Sequence, residues 1–118
     1  MNHICVGDKG EQSAALYLRK LGYKIIAANY RASTGEIDII ARDKEYLVFV
    51  EVKTRRSLAC GSPAEAVNVK KQQKIIKTAL CYLNQHKLTD HDCRFDILEI
   101  YLLPGAIKYN HIINAFGS

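Results

Sequence analysis

Two stretches of the chain repeat their apolar residues with helical spacing. In the first, Ala14, Ala15, Leu18 and Leu21 recur about once per turn, which predicts a helix over residues 9–21 that follows Asp8 as its N-cap. The second runs from about residue 62 to residue 86, with a possible break, and Ser62 and Glu65 have the spacing of a capping box at its start. Its apolar positions predict a buried stripe made of Val69, Ile76, Ala79, Leu80 and Leu83.

The other apolar stretches are short and bounded by turn residues, as strands are. Residues 23–30, 35–42 and 45–54 predict a three-stranded meander with Asp43 and Lys44 as its second turn. Residues 94–103 and 106–116, separated by Pro104 and Gly105, predict either a hairpin or two connected extended segments. The order is helix, three-strand meander, helix and strands, and it predicts an α/β fold with a central mixed β-sheet flanked by helices.

Composition narrows the class of protein. The 118 residues are 48% hydrophobic and 25% charged, as in an ordinary globular chain, and we expect residues 1–118 to form a single domain. With neither a membrane-length apolar run nor the apolar core of a signal peptide, we expect a cytoplasmic protein that does not enter membranes. Its four cysteines have no Cys-x-x-Cys spacing, which favours reduced thiols. The net charge of +5 favours polyanionic partners such as nucleic acid.

Charged residues fall at alternating positions within two of the most apolar strands. Asp38 lies on the same face of its strand as Ile40, and Glu51 and Lys53 share a face of the next strand. A two-residue turn at Asp43 and Lys44 would place Asp38 opposite Phe49 and Glu51 diagonally to Asp38, so that both carboxylates reach one ion.

Two carboxylates beside a lysine suit Mg²⁺ or Mn²⁺ and metal-assisted hydrolysis of a phosphodiester. The alternative is a solvated strand face with cross-strand ion pairs. Glu36 is either a further ligand or a partner for Arg31 or Lys53, and we expect Asp96 to bind Arg94 locally rather than metal.

Larger motifs carry a resemblance to known proteins. Asp38 followed by Glu51-Val52-Lys53 resembles the PD-(D/E)XK nuclease signature. The succession of "GDKGE" from Gly7, "GEIDIIA" from Gly35, "FVEVKTR" from Phe49, "KKQQKI" from Lys70 and "RFD" from Arg94 resembles the YraN-like family of small bacterial proteins, regarded as nuclease-fold relatives of archaeal Holliday junction resolvases. The resemblance implies a restriction-endonuclease-like core.

The resemblance also implies roles for individual residues. Asp38 and Glu51 would be metal ligands for Mg²⁺ or Mn²⁺, and Lys53 would be the catalytic lysine. Glu11 matches the acidic residue that completes the metal site in resolvase-like relatives, although a carboxylate in a first turn is also favoured by the helix dipole.

The implied substrate is DNA. Arg55 and Arg56 follow Lys53 and would grip a phosphate backbone or simply be solvated, and Lys70, Lys74 and Gln72 of the second helix are further candidates for nucleic-acid contact. The predicted function is a Mg²⁺-dependent endonuclease that cuts structured or branched DNA, as a Holliday junction resolvase does, with a possible homodimer. The alternative is a non-catalytic nucleic-acid-binding or protein-interaction module that retains the nuclease fold.

Overall fold

A computed structural model describes residues 9–56 and 67–117 of the chain. They form, in order, α1 (Lys9–Lys20), β1 (Lys24–Ala32), β2 (Gly35–Asp43), β3 (Tyr46–Arg55), α2 (Val69–Gln85), β4 (Cys93–Leu103) and β5 (Ala106–Phe116). The predicted order of elements is confirmed. The predicted N-caps Asp8 and Ser62 lie outside the described residues.

The strands form one mixed sheet in the order β1-β2-β3-β4-β5. Strands β3 and β4 are parallel and the other neighbouring pairs are antiparallel. The predicted central mixed sheet flanked by helices is therefore confirmed. Of the two arrangements left open for the last segments the hairpin forms, because Leu103 pairs with Ala106 across Pro104 and Gly105, and Gly105 adopts a φ of 73° that suits glycine.

The turn between β2 and β3 lies one residue later than predicted. Asp43 pairs with Tyr46, so the turn residues are Lys44 and Glu45, and Ile40 rather than Asp38 lies opposite Phe49. Asp43 stays in the strand because its carboxylate accepts a hydrogen bond from Arg94, 3.1 Å away on β4. The turn still has two residues, so the parity that places Asp38 and Glu51 on one face is unchanged.

The centre of the sheet is apolar on both faces, since alternate residues of β3 enter two separate clusters. On one face Val48 and Val50 pack with Leu18 of α1, and on the other Leu47 and Phe49 pack with α2. Strand β3 lies between β2 and β4, as its double-sided apolar pattern predicts. Glu51, near the end of this strand, lines a cleft.

Helix α2 buries only part of the predicted stripe: Ala79 and Leu83 are buried as predicted, and Ile76 is half-buried. Val69 is 66% exposed and Leu80 is 50% exposed. The buried positions are Ile75, Thr78, Ala79, Tyr82 and Leu83. Asn68 caps this helix, with its side chain accepting a hydrogen bond from the backbone N–H of Lys71 at 2.9 Å, and the face that contains Ile75 turns towards the sheet.

Candidate functional site

The two predicted carboxylates meet where β2 and β3 separate. The paired part of the two strands ends at Ile39 and Val50. One residue further Asp38 leaves the ladder, and its Oδ2 accepts a hydrogen bond from the backbone N–H of Val52 at 2.8 Å. Glu51 points to the same side and is only 6% exposed. The strands thus hold two acidic side chains together at the edge of the core.

Burial and the nearby Glu51 both raise the pKa of Asp38. Burial raises it from 3.8 to about 8, and the charge of Glu51 and a hydrogen bond to its carboxylate add to the rise. The Val52 N–H opposes it, and the charge of Glu11 raises the Asp38 pKa by a smaller amount. Two carboxylates this close repel each other when both are ionised, so a nearby cation stabilises the ionised pair.

Two lysines approach the acidic pair from different elements. Lys71 Nζ, from the first turn of α2, lies 2.6 Å from Glu51 Oε2, and Lys53 Nζ lies 3.7 Å from the same oxygen. Burial lowers the pKa of Lys53, as do a hydrogen bond from Lys71 and its positive charge. Burial also opposes the charge of Lys71, but hydrogen bonds with Glu51 and Lys53 outweigh it and raise the Lys71 pKa.

The two carboxylates and Lys71 line an open cleft of about 240 Å³ between the sheet and α2. The sheet contributes acidic side chains to one wall, and α2 contributes basic ones to the other. The lining residues are Gly35, Glu36, Asp38, Glu51, Lys71, Lys74 and Ile75. Such a cleft can receive a cation at its acidic wall and phosphate oxygens at its basic wall.

The third predicted acid is positioned on α1. Glu11 lies in the first turn of that helix and is half-buried. Its charge reaches Asp38, but among residues 9–56 and 67–117 no group of three or more His, Cys, Asp or Glu side chains is placed to hold a metal ion. The described geometry brings together a pair of carboxylates, with Glu11 within electrostatic range.

The two arginines after Lys53 have different surroundings. Arg55 donates from Nε to Glu99 Oε2 at 2.8 Å, and this carboxylate is fully buried in β4, where Tyr101 also hydrogen-bonds to it. Arg56 is exposed and, with Lys9, lines a cavity of about 300 Å³ at the start of α1. Of the two, Arg56 has the more accessible guanidinium.

The other predicted contact residues lie on α2. Lys70 and Lys74 are exposed, and Lys74 lines the cleft. Gln72 is half-buried, and its side-chain amide donates to the carbonyl of Val67 at 2.9 Å, so it supports the start of the helix.

Two further predictions about charged residues are confirmed. Glu36 pairs with Arg31 at 3.5 Å, which is one of the two partners expected for it. Asp96 binds Arg94 through both of its carboxylate oxygens, at 2.9 and 3.0 Å.

Lys71 was not predicted as a site residue. It precedes the buried Ile75 by four positions, so the two share a helix face. The predicted apolar stripe contained Ile76 in place of Ile75, and that choice turned Lys71 away from the sheet. Treating Ile75 as the buried position would have found it.

No helix in the described part of the chain is long and apolar enough to span a membrane.

Comparisons with known proteins found a similar solved structure and sequence relatives. The solved structure of the EndoMS-dsDNA2 complex contains a chain similar to this one, with a TM-score of 0.41 and 16% sequence identity over 80% of this chain and 38% of that chain.

Sequence relatives cover nearly the whole protein. A UPF0102 protein of Caldanaerobacter subterraneus is 50% identical over 98% of both chains, and one of Clostridioides difficile is 47% identical over 98% of this chain and 100% of its own. The model of the uncharacterised protein family UPF0102 matches residues 10–100. The protein therefore belongs to UPF0102, the YraN family that its motifs resemble.

Proposed function

We propose that this protein is a metal-dependent endonuclease that hydrolyses phosphodiesters in structured or branched DNA. The observation that carries the proposal is the convergence of Asp38 and Glu51 at one open cleft, with Lys53 Nζ 3.7 Å from Glu51 Oε2. This is the constellation that the PD-(D/E)XK signature requires.

The side chains fit a hard divalent cation. Mg²⁺ is commonly held by one or two carboxylates, with water and substrate phosphate completing its coordination, so Asp38 and Glu51 supply a sufficient donor set. Glu11 is our candidate for a third, outer ligand. When bound, Mg²⁺ or Mn²⁺ would supply an activated water and neutralise charge on the phosphate.

Residues of the protein itself would accept the proton and bind the phosphate. Burial and the neighbouring charge of Lys71 lower the pKa of Lys53, which favours the neutral amine, and a neutral amine can accept a proton from the attacking water. Lys74, on the opposite wall, would bind phosphate oxygens together with Lys70 and Arg56.

The proposed contacts would be made to the phosphate backbone and not to base edges, which favours a substrate recognised by its shape. Symmetric cutting of a four-way junction would need two copies of the site, so we also propose that the active form on such a substrate is a homodimer in the cytoplasm.

Cleavage assays test the proposal. Fluorescently labelled four-way junction, flap and linear duplex should be incubated with Mg²⁺ or Mn²⁺ and either the native protein or the Asp38→Asn or Lys53→Met variant. We expect metal-dependent cutting of the branched substrates, and a loss of at least about 100-fold in each variant. The matched control is Glu45→Gln, which removes an exposed acid in the β2–β3 turn and should cut normally.

The competing function is a binding module without turnover. The contact between Lys71 and Glu51 favours it, because the acidic pair already has a cationic partner from within the chain. Junction binding in a gel-shift assay, with no cutting under either ion, would support this function and contradict the endonuclease.

A further inference from the structure

Glu51 already has a cation at its carboxylate. Lys71 Nζ lies 2.6 Å from Oε2, within the range of a strong charge-assisted hydrogen bond, and the Glu51 side chain is only 7% exposed. Lys53 is the more distant of the two lysines at 3.7 Å. The oxygen that the proposed function assigns to a metal ion is therefore held by an ammonium group.

The backbone of Lys71 is fixed while its side chain keeps freedom to move. The Lys71 N–H is held by the side chain of Asn68 at 2.9 Å, and Ile75, one turn later, anchors the helix in the core. The Lys71 side chain is 40% exposed, and its four-carbon stem begins at the wall of the open cleft. The ammonium can leave Glu51 without any shift of α2.

A divalent cation and this ammonium cannot share the same carboxylate oxygen at close range, because like charges in a partly desolvated cleft repel strongly. We propose that Lys71 is a built-in counter-cation of the acidic pair, which a divalent ion must displace from Glu51 in order to bind. The inference concerns the site of the proposed endonuclease and rests on that proposal for the metal ion.

The displaced ammonium has a defined destination. Lys74 lies one turn further along α2 and lines the same cleft, so Lys71 would join it on the basic wall. Metal entry at the acidic wall would thereby create a second positive charge for phosphate oxygens on the opposite wall. Metal and polyanion binding are then coupled, and the protein without DNA binds the metal weakly.

Isothermal titration with Mn²⁺ alone, in the absence of DNA, tests the inference. We expect Lys71→Met to bind Mn²⁺ roughly 10-fold more tightly than the native protein, because the competing cation is gone. Lys77→Met removes the same charge from an exposed position on the same helix outside the cleft, and within the described residues Lys77 forms no ion pair. It should change the affinity by no more than roughly twofold.

Two further variants separate competition from altered folding. Lys71→Gln retains a donor for Glu51 without the charge and should show the same gain as Lys71→Met, whereas Lys71→Arg retains the charge and should bind Mn²⁺ like the native protein. Thermal unfolding of each variant identifies those that fold, and Lys71→Gln replaces Lys71→Met if the latter does not.

The outcomes also separate this inference from the proposed function. Tighter Mn²⁺ binding by the neutral Lys71 variants, with no DNA cleavage by any protein, would support the counter-cation and contradict the endonuclease. Equal affinity in the native protein and the neutral variants, or binding in none of them, would overturn the counter-cation even if the native protein cuts DNA. An equal gain in Lys77→Met would reduce the effect to the general charge of α2 and would also overturn it.

Discussion

Lys71 Nζ lies 2.6 Å from Glu51 Oε2, which joins the first turn of α2 to the end of the central strand β3. The contact closes one side of the acidic cleft and balances part of its charge. Asp38, Glu51, Lys53 and Lys71 thus form a network of two acids and two lysines, in which Glu51 contacts both ammonium groups.

Asp38 should make the protein less stable in alkaline solution. Its pKa of about 8 lies above the ordinary 3.8, so its contribution to the free energy of unfolding is complete below about pH 4 and is lost as the pH rises through about 8. Asp38→Asn is neutral at every pH and keeps an acceptor for the Val52 N–H. It should be more stable than the native protein above pH 8, by about 1–3 kcal/mol.

Thermal melts across the pH range check this prediction. The advantage of Asp38→Asn should shrink steadily towards about pH 5, where the native Asp38 holds its proton. Glu45→Gln should show no comparable trend. An advantage that does not depend on pH, or an Asp38→Asn variant that is less stable than the native protein in alkaline solution, would contradict the assignment.

Arg55 and Arg56 should separate into a structural and a surface residue. Arg55→Ala leaves Glu99, which is fully buried, without its arginine, and should destabilise the protein by about 3–5 kcal/mol. Arg56→Ala removes an exposed side chain and should change stability by less than about 0.5 kcal/mol while weakening DNA binding.

Urea denaturation and a DNA-binding titration measure the two effects. Equal stabilities for the two alanine variants would show that the contact between Arg55 and Glu99 does not hold β3 to β4 in solution.

Asp96 should stabilise the protein near neutral pH and make its stability sensitive to acid. Burial disfavours its charge, but hydrogen bonds from His111 and Arg94 outweigh burial and lower the pKa of Asp96. Its stabilising contribution is therefore present above about pH 4 and is lost as the pH falls through the lowered native value.

Asp96→Asn leaves Arg94 with a side chain only 11% exposed and one fewer carboxylate, and should cost about 3–5 kcal/mol near neutral pH. Acid titration followed by circular dichroism should show that the variant has lost part of the native acid transition. Asp92→Asn, an exposed neighbour on the same segment, is the control. A variant as stable as the native protein at neutral pH would contradict the role of this network.

Gly10 should be required for the close approach of α1 to β3. A Cβ at this position would clash with Thr54 Oγ1, so Gly10→Ala must displace the helix or the threonine and should cost about 1–3 kcal/mol. The double variant Gly10→Ala with Thr54→Ala should recover part of that loss, which a double-mutant cycle in urea would measure. Additive costs would show that the two residues do not meet.

The sequence predicts the strand framework well because β3 is apolar on both faces, and such a pattern suits a strand between two others. It predicts the shared face of Asp38 and Glu51 because only the parity of the turn matters. The turn itself was placed one residue early, because the restraint on Asp43 comes from Arg94, fifty-one positions away in sequence.

The sequence predicts Lys53 and Lys74 as residues of this region but misses Lys71. With apolar residues at both 75 and 76, the helix could be rotated about its axis so that either one faces the sheet. Packing against the sheet selects Ile75, and this rotation turns Lys71 inward. The role of Arg55 depends on Glu99, which lies on β4. That strand follows α2 in sequence and pairs with β3 in parallel, and this pairing brings Glu99 within reach of Arg55. Neither relationship is local in sequence.

The most direct test of the site is a crystal structure of the protein grown with Mn²⁺ and measured at the manganese absorption edge. We predict an anomalous peak between Asp38 and Glu51, at about 2.0–2.3 Å from one oxygen of each, with the Lys71 ammonium moved from Glu51 towards Lys74. A structure in which Lys71 remains on Glu51 and no manganese lies between the two carboxylates would contradict the metal site and, with it, the proposed hydrolysis.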